Sequence, residues 1–348
     1  MQSVPKEHWA EQLVVPLRRA LESTGAADET LPGLCRPRGA QPFVPVLLHG
    51  LMHGSAEQRE QGALGLSDVV EKTSAEAVRP FVTGMVGPLI RLCGDRHTPP
   101  VKTAILASLE TMLRRIPALV RPFYPQLQRS FQKAVTDPSS STVRQRAGAA
   151  LGALMQHQPR VEPVVLELVQ GVTGALDGES LVPSVAGVAG AASGASAVDV
   201  GDALAAALAQ VVAHAPTDKL SAAARDAVVG VLEHAFHAEE EPRENMKRAL
   251  ADVVAALVRH ERAAEGVLQH NVLLPAPVDV QLAALTVRAC LEQSPAEFYA
   301  LVDEPKRVAE LVTAWLGEAP SVARPAREAR DLLRHEEPWV YDEGVQAA

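Results

Sequence analysis

Apolar positions along the chain recur at helical spacing, in pairs of runs divided by short polar turns. The first run of each pair is announced by a proline-containing tripeptide: Pro42-Phe43-Val44, Arg79-Pro80-Phe81, Arg121-Pro122-Phe123 and Pro163-Val164-Val165, their prolines at successive spacings of 38, 42 and 41 residues. Helices are predicted directly behind them, over 44–53, 82–93, 124–135 and 164–172. A second run follows each of the first three, over 58–66, 101–109 and 143–151. In these runs the basic residue steps by 43 and then 42, from Arg59 to Lys102 to Arg144. The closing leucine keeps the same step, from Leu66 to Leu109 to Leu151, with small residues in between.

Two helices per roughly 42 residues, the second lined with small residues for close packing, is the sequence form of a HEAT repeat. The predicted fold is therefore all-α, a right-handed HEAT/armadillo-type solenoid of roughly seven or eight helix pairs without a β-sheet, because each pair buries its apolar face only against its neighbours. The turns repeat as well: Asp95 precedes Lys102 by seven residues, and Asp137 precedes Arg144 by seven. In such stacks an acidic turn residue and an early basic residue of the second helix bond between repeats. Asp95, Asp137, Lys102 and Arg144 thus read either as a structural ladder or as binding residues.

Beyond Asp177 this ladder pattern stops, and residues 184–197 are almost all Gly, Ala, Ser and Val, a composition for very tight packing or a weak hinge with little exchange protection. Helical periodicity returns over 244–258 and 278–291, with Pro242 and Pro277 near the starts, and again over 306–317 and 321–334. The expected organisation is an N-terminal helix and linker (1–41), well-formed repeats with a basic surface (42–177), degenerate Ala-rich repeats (178–337) and a flexible tail (338–348).

Composition sharpens this picture. The chain has 348 residues, 47% hydrophobic and mostly Ala, Leu and Val, with only 3% aromatic, which disfavours a sandwich or barrel and favours closely packed helices. The net charge of −9 excludes a wholly basic nucleic-acid binder. Charge is nonetheless segregated. Residues 79–146 carry eleven Lys and Arg against three acids, a balance of +8, whereas 161–241 carry two against twelve, a balance of −10. One basic block on an acidic protein points to an acidic partner or a phosphate backbone, unless its cations only solvate the helices. The Glu239-Glu240-Glu241 run reads as a solvated loop.

Catalytic readings find little. Cys35, Cys93 and Cys290 are too scattered for a disulfide framework or a thiolate metal site and fit a reducing compartment. No phosphate-binding glycine loop, Walker motif or His-Glu-x-x-His is present. His234 and His237 could share a helical face but have no third ligand at a strong spacing. Ser139-Ser140-Ser141 reads as a polar turn with a helix cap. The expectation is a soluble, cytosolic non-enzyme with no cofactor, metal, membrane span or small-molecule substrate.

The stretch from Pro42 to Val172 resembles a known family. Its Glu57-Gln58-Arg59-Glu60-Gln61, Gly65-Leu66-Ser67-Asp68-Val69-Val70, Gly87-Pro88-Leu89-Ile90-Arg91 and Arg121-Pro122-Phe123-Tyr124-Pro125-Gln126-Leu127-Gln128 strings are similar to the C-terminal HEAT array of the large ribosome-associated scaffold of general amino-acid control. That scaffold activates the kinase of the alpha subunit of translation initiation factor two. Glu336-Glu337-Pro338-Trp339-Val340 resembles the family's acidic-Trp tail, which implies a C-terminal portion. The resemblance implies a module that docks the RWD domain of the stress kinase, with ribosome association carried by the longer family architecture. It also implies an arginine needed for kinase binding, matched to Arg144, with Arg146 and Arg96 next, and Lys102, Arg121, Arg129 and Arg79 completing the candidate basic surface. Two rival readings remain at this point: a generic HEAT adaptor for cargo, and direct RNA contact by the basic segment.

Overall fold

The computed structural model describes residues 4–25, 29–94, 96–178, 197–238, 240–260, 262–274, 276–302 and 305–336. Among these residues every regular element is helical, and two compact units are formed, by residues 1–158 and 159–348. Asp95, Glu239, nearly all of the Gly/Ala/Ser-rich stretch and the 338–348 tail lie outside the described residues.

The N-terminal unit holds α1 (Trp9–Gln12), α2 (Val14–Ser23), α3 (Val44–His53), α4 (Ala56–Glu71), α5 (Ala75–Val78), α6 (Val82–Gly94), α7 (Pro99–Arg115), α8 (Pro117–Val120), α9 (Tyr124–Val135) and α10 (Ser141–Met155). The second helices α2, α4, α7 and α10 stack on one another, and α3, α6 and α9 form the first-helix layer against them. The Arg-Pro-Phe tripeptides are 3-10 turns leading into α6 and α9. Proline at the second position of each turn fixes φ and lacks the N–H that a helix start leaves unsatisfied anyway. This is why α6 and α9 start at the residues that the punctuation predicts.

Small residues set the closeness of the stack. A Cβ added at Gly62 would lie 2.8 Å from both the Leu47 carbonyl oxygen and the Leu51 nitrogen, so α4 meets the α3 backbone where only glycine fits. Ser108, fully buried on α7, lies 2.8 Å from the Ala63 carbonyl of α4, and Ser67 Oγ lies 2.9 Å from Thr111 Oγ1. Between these ties runs a continuous apolar core that includes Leu47, Leu66, Leu89, Ile105, Leu109, Phe131 and Leu151.

The C-terminal unit repeats the plan with α11 (Glu162–Leu176), α12 (Ala197–His214), α13 (Ala222–Phe236), α14 (Glu244–Leu257), α15 (Arg262–Val267), α16 (Val280–Gln293), α17 (Pro295–Leu301), α18 (Pro305–Trp315) and α19 (Pro320–Glu336). Here α12, α14, α16 and α19 are the stacked second helices. The first helices are irregular: α15 is six residues long and runs on into a π turn over Leu268–Val272.

In both units the cation at the end of a second helix reaches back to the carbonyls that end the second helix before it. Lys72, 4% exposed, donates to the carbonyls of Leu21 and Thr24, the latter at 2.6 Å, at the end of α2. Arg115 donates to Glu71 O at 2.9 Å, and Arg259 to Ala213 O at 3.3 Å. These carbonyls have no partner within their own helices, and a cation there also meets the negative end of the helix dipole.

Candidate functional site

The seven candidate residues fall into two groups by burial and partner. Lys102 and Arg144 turn inward. Lys102 Nζ lies 2.6 Å from Asp137 Oδ2, and Arg144, 6% exposed, donates from Nη1 to the Asp137 carbonyl at 2.9 Å. Asp137 also receives both the backbone N–H of Ser139, at 2.8 Å, and its hydroxyl. Burial alone pushes the Asp137 carboxyl up, but Lys102 and the two Ser139 donors outweigh it and hold the carboxyl below the usual carboxylate range. Arg59, at the matching position one repeat earlier, instead bonds the carbonyls of Gly54 and Leu51 at 2.9 and 3.0 Å. Arg59 and Arg144 thus tie a second helix to the turn of its own pair, and only Lys102 reaches across to the turn of the next repeat.

The later part of the chain corrects one expectation: the ladder does not end at Asp177. Lys247, at the fourth position of α14 and 1% exposed, lies 2.8 Å from Asp279 Oδ2 and also meets the Glu241 carboxylate. Asp279 caps α16 through its other oxygen, which accepts from Leu282 N at 2.9 Å. The rung survives although its sequence separation falls from 35 to 32 residues, because it needs only a cation early in one second helix and an acid in the turn before the next. The Ser turn needs a correction too: Ser140 occupies the N-cap of α10 without a side-chain cap bond, while Ser139 is engaged by Asp137.

Arg79, Arg96, Arg121, Arg129 and Arg146 are exposed. Arg146 on α10 is paired with Glu110 of α7 at 3.2 Å, beside a shallow groove of about 270 Å³ lined by Glu60, Leu64, Pro99, Pro100 and Thr103. Arg114 is likewise held by Glu71. Arg114 and Arg146 on the second-helix face are thus already matched by carboxylates, whereas Arg96 lies exposed on the turn before α7. Arg79, Arg121 and Arg129 belong to the first-helix layer, on the turns before α6 and α9 and on α9 itself, and make no ion pair with a described residue. The structure joins to them two cations that the sequence reading did not single out, Arg91 on α6 and Lys133 on α9, both exposed. The signal was present in the period, since 79 and 121, like 91 and 133, are 42 apart.

Among the described residues no group of three or more His, Cys, Asp or Glu is placed to hold a metal ion. His234 Nε2 faces Asp177 Oδ1 at 2.9 Å, and His237 Nδ1 lies 2.9 Å from its own helix's Glu233 carbonyl. Burial pushes the Cys93 thiol up to about 11, so it is a packed apolar group at neutral pH. No described helix is long and apolar enough to cross a membrane.

Stacked antiparallel helix pairs with buried cation-to-turn ties define a repeat protein of the HEAT/armadillo α-solenoid class, a fold built to present surface. Solved structures agree on the fold: importin beta aligns over 100% of this chain and 44% of its own, at 16% identity and a TM-score of 0.55, and a Kap95:Nup1 complex chain over 88% and 43%, at 13% identity and 0.50. No protein-family profile matches the chain. Curated relatives do match: the eIF-2-alpha kinase activator GCN1 of Saccharomyces cerevisiae is 47% identical over 167 residues, 48% of this chain, and the stalled ribosome sensor GCN1 of Mus musculus 43% identical over 150 residues, 43% of this chain. Over that part the chain is homologous to GCN1. It spans about 6% of the length of either relative.

Proposed function

We propose that this chain is a non-catalytic scaffold module that binds the RWD domain of an eIF-2-alpha kinase and supports its activation in the cytoplasm during amino-acid starvation and ribosome stalling. The observation that carries the reading is the row of exposed, carboxylate-free cations on the first-helix layer of a chain homologous to GCN1 over nearly half its length. Exposed arginines on a rigid repeat scaffold suit an acidic protein surface, since arginine contributes strongly to interface hot spots and pairs carboxylates through two N–H groups. Ribosome association belongs, in this reading, to the remaining length of the relatives' architecture.

Titration of an isolated RWD domain into the full chain tests it. Saturable one-to-one binding with a shallow salt dependence is the expected result. Absence of binding at low salt sinks the reading, and a steep log-linear loss with salt, matched by binding to RNA, replaces it with phosphate contact.

A further inference from the structure

We infer that the docking face is the solvent side of the α6 and α9 pair and that its occupant is an acidic polypeptide segment; this rests on the scaffold reading above and specifies where and what it binds. The two helices pack side by side, at the roughly 8–10 Å typical of helix pairs. Their exposed positions are in register by the 42-residue period: Arg79 with Arg121, Gly84 with Gln126, Gly87 with Arg129, and Arg91 with Lys133. Residues 84, 87 and 91 follow i, i+3, i+7 spacing, as do 126, 129 and 133, so each set lies along one strip of its helix. Five cations share this face, and neither helix, nor the Arg-Pro-Phe turn before it, contains an Asp or Glu. The second-helix face differs because carboxylates already neutralise Arg114 and Arg146.

The floor between the cations favours a polypeptide over a nucleic acid. A Cβ at Gly84 or Gly87 would meet nothing within 4 Å, so the α6 backbone lies open there. Gly87 relieves the clash that a side chain ahead of Pro88 would cause in a helix. Gly84 neither precedes a proline nor meets a packing neighbour, and glycine weakens a helix. A low floor rimmed by guanidinium groups admits the side chains of an apposed segment while its carboxylates reach the rims. Base stacking has no platform here: Phe81 and Phe123 are half-buried, and Tyr124 is buried with its hydroxyl bonded to the Pro117 carbonyl at 3.0 Å.

The test uses the full chain and three probes: the kinase RWD domain, a glutamate-rich peptide and a short RNA duplex. The variants are the pair Arg91→Glu with Lys133→Glu, the single Gly84→Leu and, as a control on the other face, Arg146→Ala, each checked for an unchanged helical spectrum and melting midpoint. The inference expects the charge-reversed pair and Gly84→Leu each to weaken RWD-domain and peptide binding by more than about tenfold, with Arg146→Ala unchanged. If Gly84→Leu disturbs folding, the charge-reversed pair alone decides. RWD binding that survives both face variants but falls in Arg146→Ala overturns the inference and leaves the scaffold reading intact. A wild-type chain that ignores the RWD domain, yet binds the peptide through these residues, supports the face and overturns the kinase reading. Tighter binding of the RNA duplex through the same residues, or no binding of any probe, overturns the inference.

Discussion

Lys247 stands to Asp279 as Lys102 stands to Asp137: an ammonium early in one second helix, buried at Lys247 and half-buried at Lys102, within 2.8 and 2.6 Å respectively of a carboxylate in the turn that opens the next. The two rungs differ in support. Asp137 keeps two bonds from Ser139 when its cation is lost, whereas Asp279 keeps only the Leu282 amide. Lys247→Ala should therefore cost about 3 kcal/mol or more, the range for stranding a buried partner charge, and Lys102→Ala visibly less. Urea unfolding reads both as midpoint shifts at unchanged slope; equal losses would contradict the argument.

Arg144→Ala should act on stability. Its guanidinium is buried and ties α10 to the Asp137 carbonyl, so removal is expected to cost about 1–2 kcal/mol while the folded fraction binds an RWD domain as before. Binding measured well below the melting midpoint, alongside thermal unfolding, separates the two effects. A loss of binding by fully folded Arg144→Ala protein would return this residue to the docking surface.

Gly62 and Gly84 should respond oppositely to alanine. At Gly62 the new methyl collides with the α3 backbone, and a loss of about 1–3 kcal/mol is expected. At Gly84 it meets open solvent on a helix, and a gain of about 0.5–1 kcal/mol is expected. Melting midpoints that move the same way in both variants would argue against the packing described for α4.

His260 should make the C-terminal unit acid-sensitive near neutrality. Burial is the largest influence holding its imidazole below the ordinary histidine range; the Val212 carbonyl pulls it partly back up, and the nearby Arg225 and Arg259 add to the lowering. A depressed folded value means that the unfolded chain takes up the proton first. Stability is then full above about pH 6.5 and declines as pH falls below it toward the folded value. Thermal unfolding between neutral pH and about pH 5 should show this slope, and His260→Phe should flatten it. Asp137, also depressed, contributes its own loss only below the ordinary carboxylate value of about 4.

Helix order and even some boundaries were legible because Pro punctuation and a fixed period act locally: 44–53 and 124–135 are read directly from the chain. The direction of a long cationic stem is not local. Lys102 and Arg91 look alike as letters, yet stacking turns one onto Asp137 and leaves the other in solvent. The Lys247 rung was hidden for a related reason, since shortened repeats change the sequence separation while conserving the spatial requirement. Arg144 matched a family arginine by its string, but its burial is a property of how α10 meets the preceding turn.

The backward reach of Lys72, Arg115 and Arg259 gives the array a grain. Every second helix so tied is finished by a residue that the ribosome makes later, so a nascent or trimmed chain ending after 94 would leave the Glu71 carbonyl without Arg115, and its last turn would fray. Shortening from the other end strands no carbonyl in this way, because Lys72 deprived of α2 can extend its ammonium into water. Unravelling should then start more readily from the C-terminal side of a cut unit than from its N-terminal side.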